Sequence, residues 1–456
     1  MTDFRASAHA LPIESVEQLV EQFHHAAKPR SAWKIGTEYE KLAVDAETGR
    51  AAPFTGPRGI ERVLLMVAER FGWEPREEEG ATIALARNGL SITLEPGGQI
   101  ELAGQPVATV HEAHEEIQTH VRELVSVGRE VGMAFLGLGA HPISTLDEIA
   151  WVPKQRYRIM RDYMTRVGTL GHRMMKQTAT VQANIDFESE RDAMQKLRVG
   201  MASAPIVNAI FANSPLVDGD ASGHLSFRGH VWTDTDRARC GLLPFVFRDD
   251  AGFVDYAAWA LDVPMYFIMR DGRYVTDVTG IPFRRFLAEG WGGAPATLDD
   301  WNLHLTTLFP EVRLKGYIEF RSADSQLPER VLALPALAKG LFYDADCQLA
   351  GLDFVKRWSP DQVRELYADV TRGGFAARLR GVRVGELARE LLAIAAEGLR
   401  RQGALDGQGR DERCYLDLVV EQVERGRTAA DEILALWNGP WDRRVGPLVE
   451  ACALRA

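Results

Sequence analysis

Four short segments place acids and amides at alternate positions, the spacing at which side chains of a strand share one face. In KIGTEYEKLAV this puts Glu38 and Glu40 together. In LEPGGQIELAG, Gln99 and Glu101 face one way while Ile100 and Leu102 face the other, and Glu95 stands just before a double glycine. In QTATVQANIDF the polar set Thr178, Thr180, Gln182, Asn184 and Asp186 opposes Ala179, Val181, Ala183, Ile185 and Phe187. In GYIEFRSAD, Tyr317, Glu319 and Arg321 oppose Ile318 and Phe320. Any one such strand reads equally well as the wet face of an antiparallel sheet. Jointly they are unusual for a solvated face, because they hold Glu, Gln and Asn with almost no Lys, and one arginine beside a glutamate.

Clustered carboxylates repel and are costly to bury unless a cation sits among them. Magnesium prefers oxygen ligands and is typically held by a few carboxylates together with phosphate oxygens. An acid-lined sheet with an arginine therefore suits Mg-ATP and a phosphoryl transition state. Other chemistries lack their motifs. There is no GxxxxGK[ST] loop, and GLGAHP (Gly137 to Pro142) supplies only GxG. In HEAHEE, His111 and Glu115 are one helical turn apart without HExxH spacing, and are expected to be solvated on the polar face of a helix. No cysteine stands in a nucleophile-like context.

The elements that must position these residues are also marked. Ser15 with Gln18 is expected to cap a first helix bearing Val16, Leu19, Val20 and Phe23. Thr109 with Glu112 repeats the signature for a second, whose stripe is Val110, Ala113, Ile117, Val121 and Leu124, with Gly132 to end it. From about residue 355 onward the pattern is helical, as at Leu387, Leu391, Ile394 and Ala395 and at Ile433, Leu434 and Trp437. The expectation is a single catalytic domain over 1–456, with a sheet-containing core at about 14–355 and a helical packing region at about 356–456.

Composition bounds the rest. A chain of 456 residues with 46% hydrophobic and 26% charged side chains fits a globular protein, and a formal charge of -11 disfavours nucleic acid as a partner. No run of about 18 apolar residues predicts a membrane span. The opening MTDFRASAHALPIES lacks the layout of a secretion signal, and the four dispersed cysteines lack a CxxC pair, so the expected compartment is the cytoplasm.

At these strands the chain resembles the plant-type glutamate–cysteine ligases, a class also found in proteobacteria, over roughly residues 14 to 445. The resemblance is carried by IGTEYEK (35–41), LEPGGQIELAG (94–104), YRIMRDYMTRVGTLGHRMM (157–175), TVQANIDF (180–187), FANSPL (211–216), HVWTDTDRAR (230–239), LDVPMYF (261–267) and HLTTLFPEVRLKGYIEFRSAD (304–324). It implies an α+β, glutamine-synthetase-like carboxylate–amine ligase fold, with a curved, mainly antiparallel sheet flanked by helices and the site on its concave face. The implied reaction is ATP-dependent joining of the glutamate γ-carboxylate to the cysteine amine through γ-glutamyl phosphate, the first step of glutathione biosynthesis, with two or three magnesium ions.

Carried over by motif, the expected metal ligands are Glu38, Glu40, Glu95, Glu101, Gln182 and Glu319. Arg321, Glu319 and Glu40 are the expected catalytic groups. Arg228 and Arg284 are the expected carboxylate clamps, with Thr233, Asp234 and Asn184 also expected to contact substrate. Expected partners are the small molecules glutamate, cysteine and ATP, with the chain a monomer or homodimer. None of the four cysteines stands where it could replace the regulatory pairs of plant members, so no thiol switch is expected. A related ligase with another amine acceptor, a non-catalytic nucleotide-binding homologue and, more weakly, a carboxylate–metal hydrolase remain as alternatives.

Overall fold

The computed structural model describes residues 11–456; the first ten, part of the segment read as lacking a secretion signal, lie outside it. The main strands are β1 (Ile35–Asp45), β2 (Glu74–Glu78), β3 (Ala81–Arg87), β4 (Leu90–Leu94), β5 (Ile100–Ala103), β6 (Met133–Leu136), β7 (Thr180–Ile185), β8 (Val312–Leu314) and β9 (Ile318–Asp324). They form one nine-stranded sheet in the order β8-β9-β7-β1-β5-β4-β3-β2, with β6 also on β1, and every pairing is antiparallel. The four acid-bearing segments are thus lateral neighbours, β9-β7-β1-β5.

Register decides which side chains share a face, because paired residues point the same way. Glu40 pairs with Glu101, Glu38 with Gln182, and Glu319 with Asn184, so all six lie on one side. The opposite side is mainly apolar, with the Lys41 ammonium buried in it against the Tyr39 carbonyl and His120. Tyr39, Ile100, Leu102, Val181, Ala183, Ile185, Ile318 and Phe320 are all buried there against helices. Between Phe320 and Ala323 the β9–β7 register shifts, so Arg321 and Ser322 together oppose Gln182 in a bulge. Beyond it Asp324 pairs with Thr180, which returns Asp324 to the face that carries Glu319.

Eight helices support the sheet or reach its polar side: α1 (Val16–His25), α2 (Ile60–Phe71), α3 (Val110–Val131), α4 (Gln155–Met164), α5 (Glu190–Ile210), α6 (Phe227–Trp232), α7 (Ala333–Phe342) and α8 (Val384–Gln402). Helix α3 starts in the expected capping box of Thr109 and Glu112, ends at Gly132 in the left-handed region (φ +71°), and buries its predicted stripe. Helix α1 starts after Ser15 as expected, but Ser15 makes no side-chain cap; Gln18 instead accepts from the backbone N–H of Glu14.

The helices between residues 360 and 425 share the main apolar cluster, whereas Ile433, Trp437, Leu448 and Val449 pack in a second, smaller one with Leu42, Val44 and Leu136. Helices α7 and α8 touch backbone to backbone: a Cβ on Gly398 would sit 1.9 Å from the Gly340 carbonyl oxygen. An ion pair ties this layer to the sheet-backing helices. Fully buried Glu412 takes the Lys339 Nζ at 2.7 Å on each oxygen and accepts the first-turn N–H of α3, from Val110, at 2.6 Å. The HEAHEE stretch joins the same contact. Glu115 is exposed as expected, but His111 is half-buried and bonded to the Tyr415 hydroxyl (2.9 Å), so the expectation of solvation is corrected for His111. No described helix is long and apolar enough to cross a membrane.

Candidate active site

The polar side of β9-β7-β1-β5 forms the floor of a cleft of about 190 Å³, and Glu38, Glu40, Glu95, Gln99, Glu101 and Gln182 line it together with Arg156, Arg228, Arg313 and Arg321. The double glycine seats one wall. Gly98 turns at φ +83°, and a Cβ on Gly97 would fall 2.2 Å from the Lys176 carbonyl oxygen. That close approach lets Gln99 donate to the carbonyls of Thr178 (2.7 Å) and Met175 (3.2 Å), which fixes Glu95 and Glu101 beside it.

The carboxylates are unevenly treated. Glu38 accepts the side-chain amides of Gln182 and Asn184, each at 3.0 Å. Glu40 has the backbone N–H of Thr180 at 3.0 Å. Burial, reinforced by the charge of Glu95, pushes the Glu40 carboxyl up to about 8. Burial likewise pushes Glu101 well above the carboxylate range, with Glu38, Glu95 and Glu40 all adding repulsion. Glu319 is the opposite case. Burial alone would raise it, but Arg313, Lys315 and Arg321 hold it far below its ordinary value. Arg313 grips both its oxygens (2.6 and 2.8 Å) and Arg321 reaches one of them at 3.0 Å.

Gln182 is the link between the two charges of the floor: its carbonyl accepts from Arg321 at 2.5 Å while its NH2 donates to Glu38. Asn184 Oδ1 is buried with no hydrogen-bond partner. Arg228 is buried, donates from Nη2 to the Arg321 carbonyl at 2.8 Å, and leaves Nη1 without a partner. The Arg228 and Arg321 guanidiniums each lie 5.8 Å from the Trp232 ring centroid.

The structure therefore gathers Glu38, Glu40, Glu95, Glu101, Gln182, Asn184, Glu319, Arg228 and Arg321 at one site, but corrects several expected roles. Both Glu319 oxygens accept from guanidinium groups, and Gln182 engages both ends of its amide, so Glu319 anchors two arginines and Gln182 joins Arg321 to Glu38. Arg284 is exposed and paired with Asp262 (2.7 Å), so it is no carboxylate clamp in this cleft. Asp234 accepts from the hydroxyl and N–H of Thr169, and exposed Thr233 donates to the His230 carbonyl at the end of α6. Thr233 lines a separate cavity of about 810 Å³ on the far side of Trp232. A short helix changes direction within one turn, and sequence proximity to Trp232 does not reveal it.

Two cleft arginines were not foreseen. Arg313 pairs directly with Glu319 across the β8–β9 hairpin, and counting outward from the Lys315–Tyr317 turn would have found it. Arg156 enters from the first turn of α4, with its Nε buried and unpaired; no sequence signal marked it.

The donor set suits a hard divalent cation. Among the described residues no three His, Cys, Asp or Glu side chains close into a ready-made metal cage. What the cleft holds is an all-oxygen set of carboxylates in which burial and mutual repulsion outweigh the Arg228 and Arg321 charges at Glu40 and the Lys154 charge at Glu101. That matches a cation taken up with substrate phosphates and few protein ligands.

Residues 34–451 match the family model "Glutamate-cysteine ligase family 2(GCS2)". The chloroplastic glutamate–cysteine ligases of Brassica juncea and Arabidopsis thaliana are each 43% identical over 95% of this chain, covering 83% and 82% of their own lengths. A solved glutamate–cysteine ligase of Francisella tularensis in complex with AMP superposes with a TM-score of 0.56 at 13% identity, over 92% of this chain and 88% of that one, which shows the shared ligase fold. The expected cytoplasmic compartment does not stand beside these relatives: the Brassica juncea, Arabidopsis thaliana, Oryza sativa and Nicotiana tabacum enzymes that match over 95% of the chain are chloroplastic, so its composition does not fix a compartment. With 418 consecutive positions spanned by one family model (451 − 34 + 1), and the acid-and-arginine cleft inside that span, the chain belongs to glutamate–cysteine ligase family 2.

Proposed function

We propose that the chain joins the γ-carboxylate of L-glutamate to the amine of L-cysteine at the expense of ATP, through a γ-glutamyl phosphate. The observation that carries this reading is the meeting of repelling carboxylates with three guanidiniums, Arg156, Arg228 and Arg321, on one side of the sheet. Phosphoryl transfer is mostly positioning plus charge stabilisation, and such a cleft supplies both.

In the first step a glutamate γ-carboxylate oxygen attacks the γ-phosphorus of ATP and the bond to the bridging oxygen breaks, which releases ADP. Arg321 is the group that stabilises charge on the transferring phosphoryl. A guanidinium held by Gln182 and Glu319 cannot be deprotonated and needs no reorganisation. Arg228, with Nη1 free, and Arg156 anchor the glutamate backbone carboxylate. In the second step the cysteine nitrogen attacks the acyl carbon, the C–O bond breaks, inorganic phosphate leaves, and the amine releases its proton.

Glu38, Glu40, Glu95, Glu101, Gln182 and Glu319, with the free Asn184 Oδ1, are the residues that would hold magnesium, two or three ions by family resemblance. Magnesium when bound neutralises the phosphates and the attacking carboxylate.

The test is ADP release from Mg-ATP and glutamate, with cysteine, without it, and with 2-aminobutyrate as a thiol-free acceptor. Cysteine-dependent turnover to γ-glutamylcysteine is expected. Turnover with another amine but not cysteine would replace the acceptor, and no ADP release under any condition would overturn the reading.

A further inference from the structure

Arg228 sits on α6, a helix of six residues, too short to hold its own orientation in water. Its tether is a fully buried carboxylate on another element, Asp324 at the end of β9. Asp324 Oδ2 accepts the Asn213 N–H (2.8 Å) and the Ser214 hydroxyl (2.6 Å), and Oδ1 accepts the Ser226 hydroxyl (2.8 Å). Each serine then passes the contact on to α6. Ser214 Oγ accepts the backbone N–H of Arg228 at 3.1 Å, and Ser226, the N-cap, accepts that of Gly229 at 2.9 Å.

Two further features single Asp324 out. The bulge after Phe320 is what turns it to this face, three residues beyond Arg321 on the same strand. Gly139, from the GLGAHP segment, leaves room for it: a Cβ there would lie 2.4 Å from the Asp324 Cγ. The arrangement makes β9 hold one guanidinium directly and the other through a carboxylate and two hydroxyls, with the Arg228 Nη2 to Arg321 carbonyl bond as a second tie.

We propose that Asp324, acting through Ser214 and Ser226, is a positioning residue that sets the Arg228 guanidinium against Arg321 and so sets the affinity for the glutamate carboxylate. Asp324 itself touches no substrate. The proposal rests on Arg228 being the glutamate anchor.

The experiment is steady-state kinetics with glutamate and ATP varied separately, on wild type, Arg228→Ala, Asp324→Asn, the pair Ser214→Ala/Ser226→Ala, and Arg228→Ala combined with Asp324→Asn. Asparagine keeps the shape but puts an NH2 at one end, where it opposes either the Asn213 N–H or the Ser226 hydroxyl, so one contact of the bridge must break. Losing a charge-assisted tether is expected to raise KM for glutamate about tenfold or more in Asp324→Asn, with kcat and KM for ATP changed less than about threefold. In the Arg228→Ala background, Asp324→Asn is expected to add nothing to KM for glutamate.

An equal rise in both KM values, or an undiminished effect of Asp324→Asn without Arg228, would overturn the positioning role. If Arg228→Ala itself left KM for glutamate unchanged, the anchor assignment would fall instead. Should Asp324→Asn fail to fold, the serine pair carries the same test, and an unchanged KM for glutamate in that pair would likewise overturn the proposal.

Discussion

Glu412 and Glu40 are both buried carboxylates, yet their surroundings are opposite. Around Glu412 a lysine covers both oxygens and a helix-terminal N–H adds a third contact. Around Glu40 one backbone N–H is the direct contact, the Arg228 and Arg321 charges only partly offset burial and Glu95, and its carboxyl is driven up to about 8. A carboxylate that holds elements together is neutralised within the chain. One kept for an incoming cation stays in surplus, at a cost to the resting protein. Such unresolved repulsion marks a functional site more reliably than burial or acidity alone.

Glu412→Gln strands the Lys339 ammonium in the interior and should give the largest loss of stability, about 3–5 kcal/mol in denaturant unfolding. The kcat of the protein that remains folded should be near normal. A loss below about 1 kcal/mol would show that this pair is not the tie it is taken to be.

Arg321→Ala should spare the fold and lower kcat by about 10²–10³, because a preorganised charge at the reacting phosphoryl is lost. KM for glutamate should move far less, and a near-normal kcat would assign that charge elsewhere.

Glu101→Gln should do the reverse of Glu412→Gln. With one carboxyl gone whose ionisation burial disfavours, unfolding near pH 7 in the absence of magnesium should show a gain on the order of 1 kcal/mol, while the magnesium concentration needed for ADP release rises. Destabilisation in magnesium-free buffer would contradict the view that this cleft carries surplus charge.

Arg284→Ala is expected to change neither KM for glutamate nor stability by more than about 0.5 kcal/mol, as for an exposed ion pair. A clear rise in KM would restore it to the site.

The acid face was legible because period-two alternation survives in β1, β5, β7 and the first half of β9, and because the capping box of α3 is a local device. Legibility ended where a side chain's direction depends on another segment. Arg156 comes from a helix whose aim is set by contacts outside it, Arg228 was reached through the resemblance alone, and the Ser214–Asp324–Ser226 bridge joins three separate stretches. Arg284 was misassigned because a basic residue beside a shared motif carries no signature of its partner, which is Asp262 on the surface. His111 was misread for a similar reason, since the ring that receives it lies some three hundred residues away, on Tyr415.

The bulge in β9 has a consequence for how this stretch can change over evolutionary time. Ordinary strand positions accept exchange of one side chain for another of similar shape. The segment from Glu319 to Asp324 is also bound by its count of residues. Removing Ala323 while the bulge stays would set Asp324 opposite Val181 and send it through to the apolar side, among the helices, while leaving the composition of the strand almost intact. Insertions and deletions should therefore be purged here more strictly than substitutions, so that length, more than identity, is what this stretch inherits.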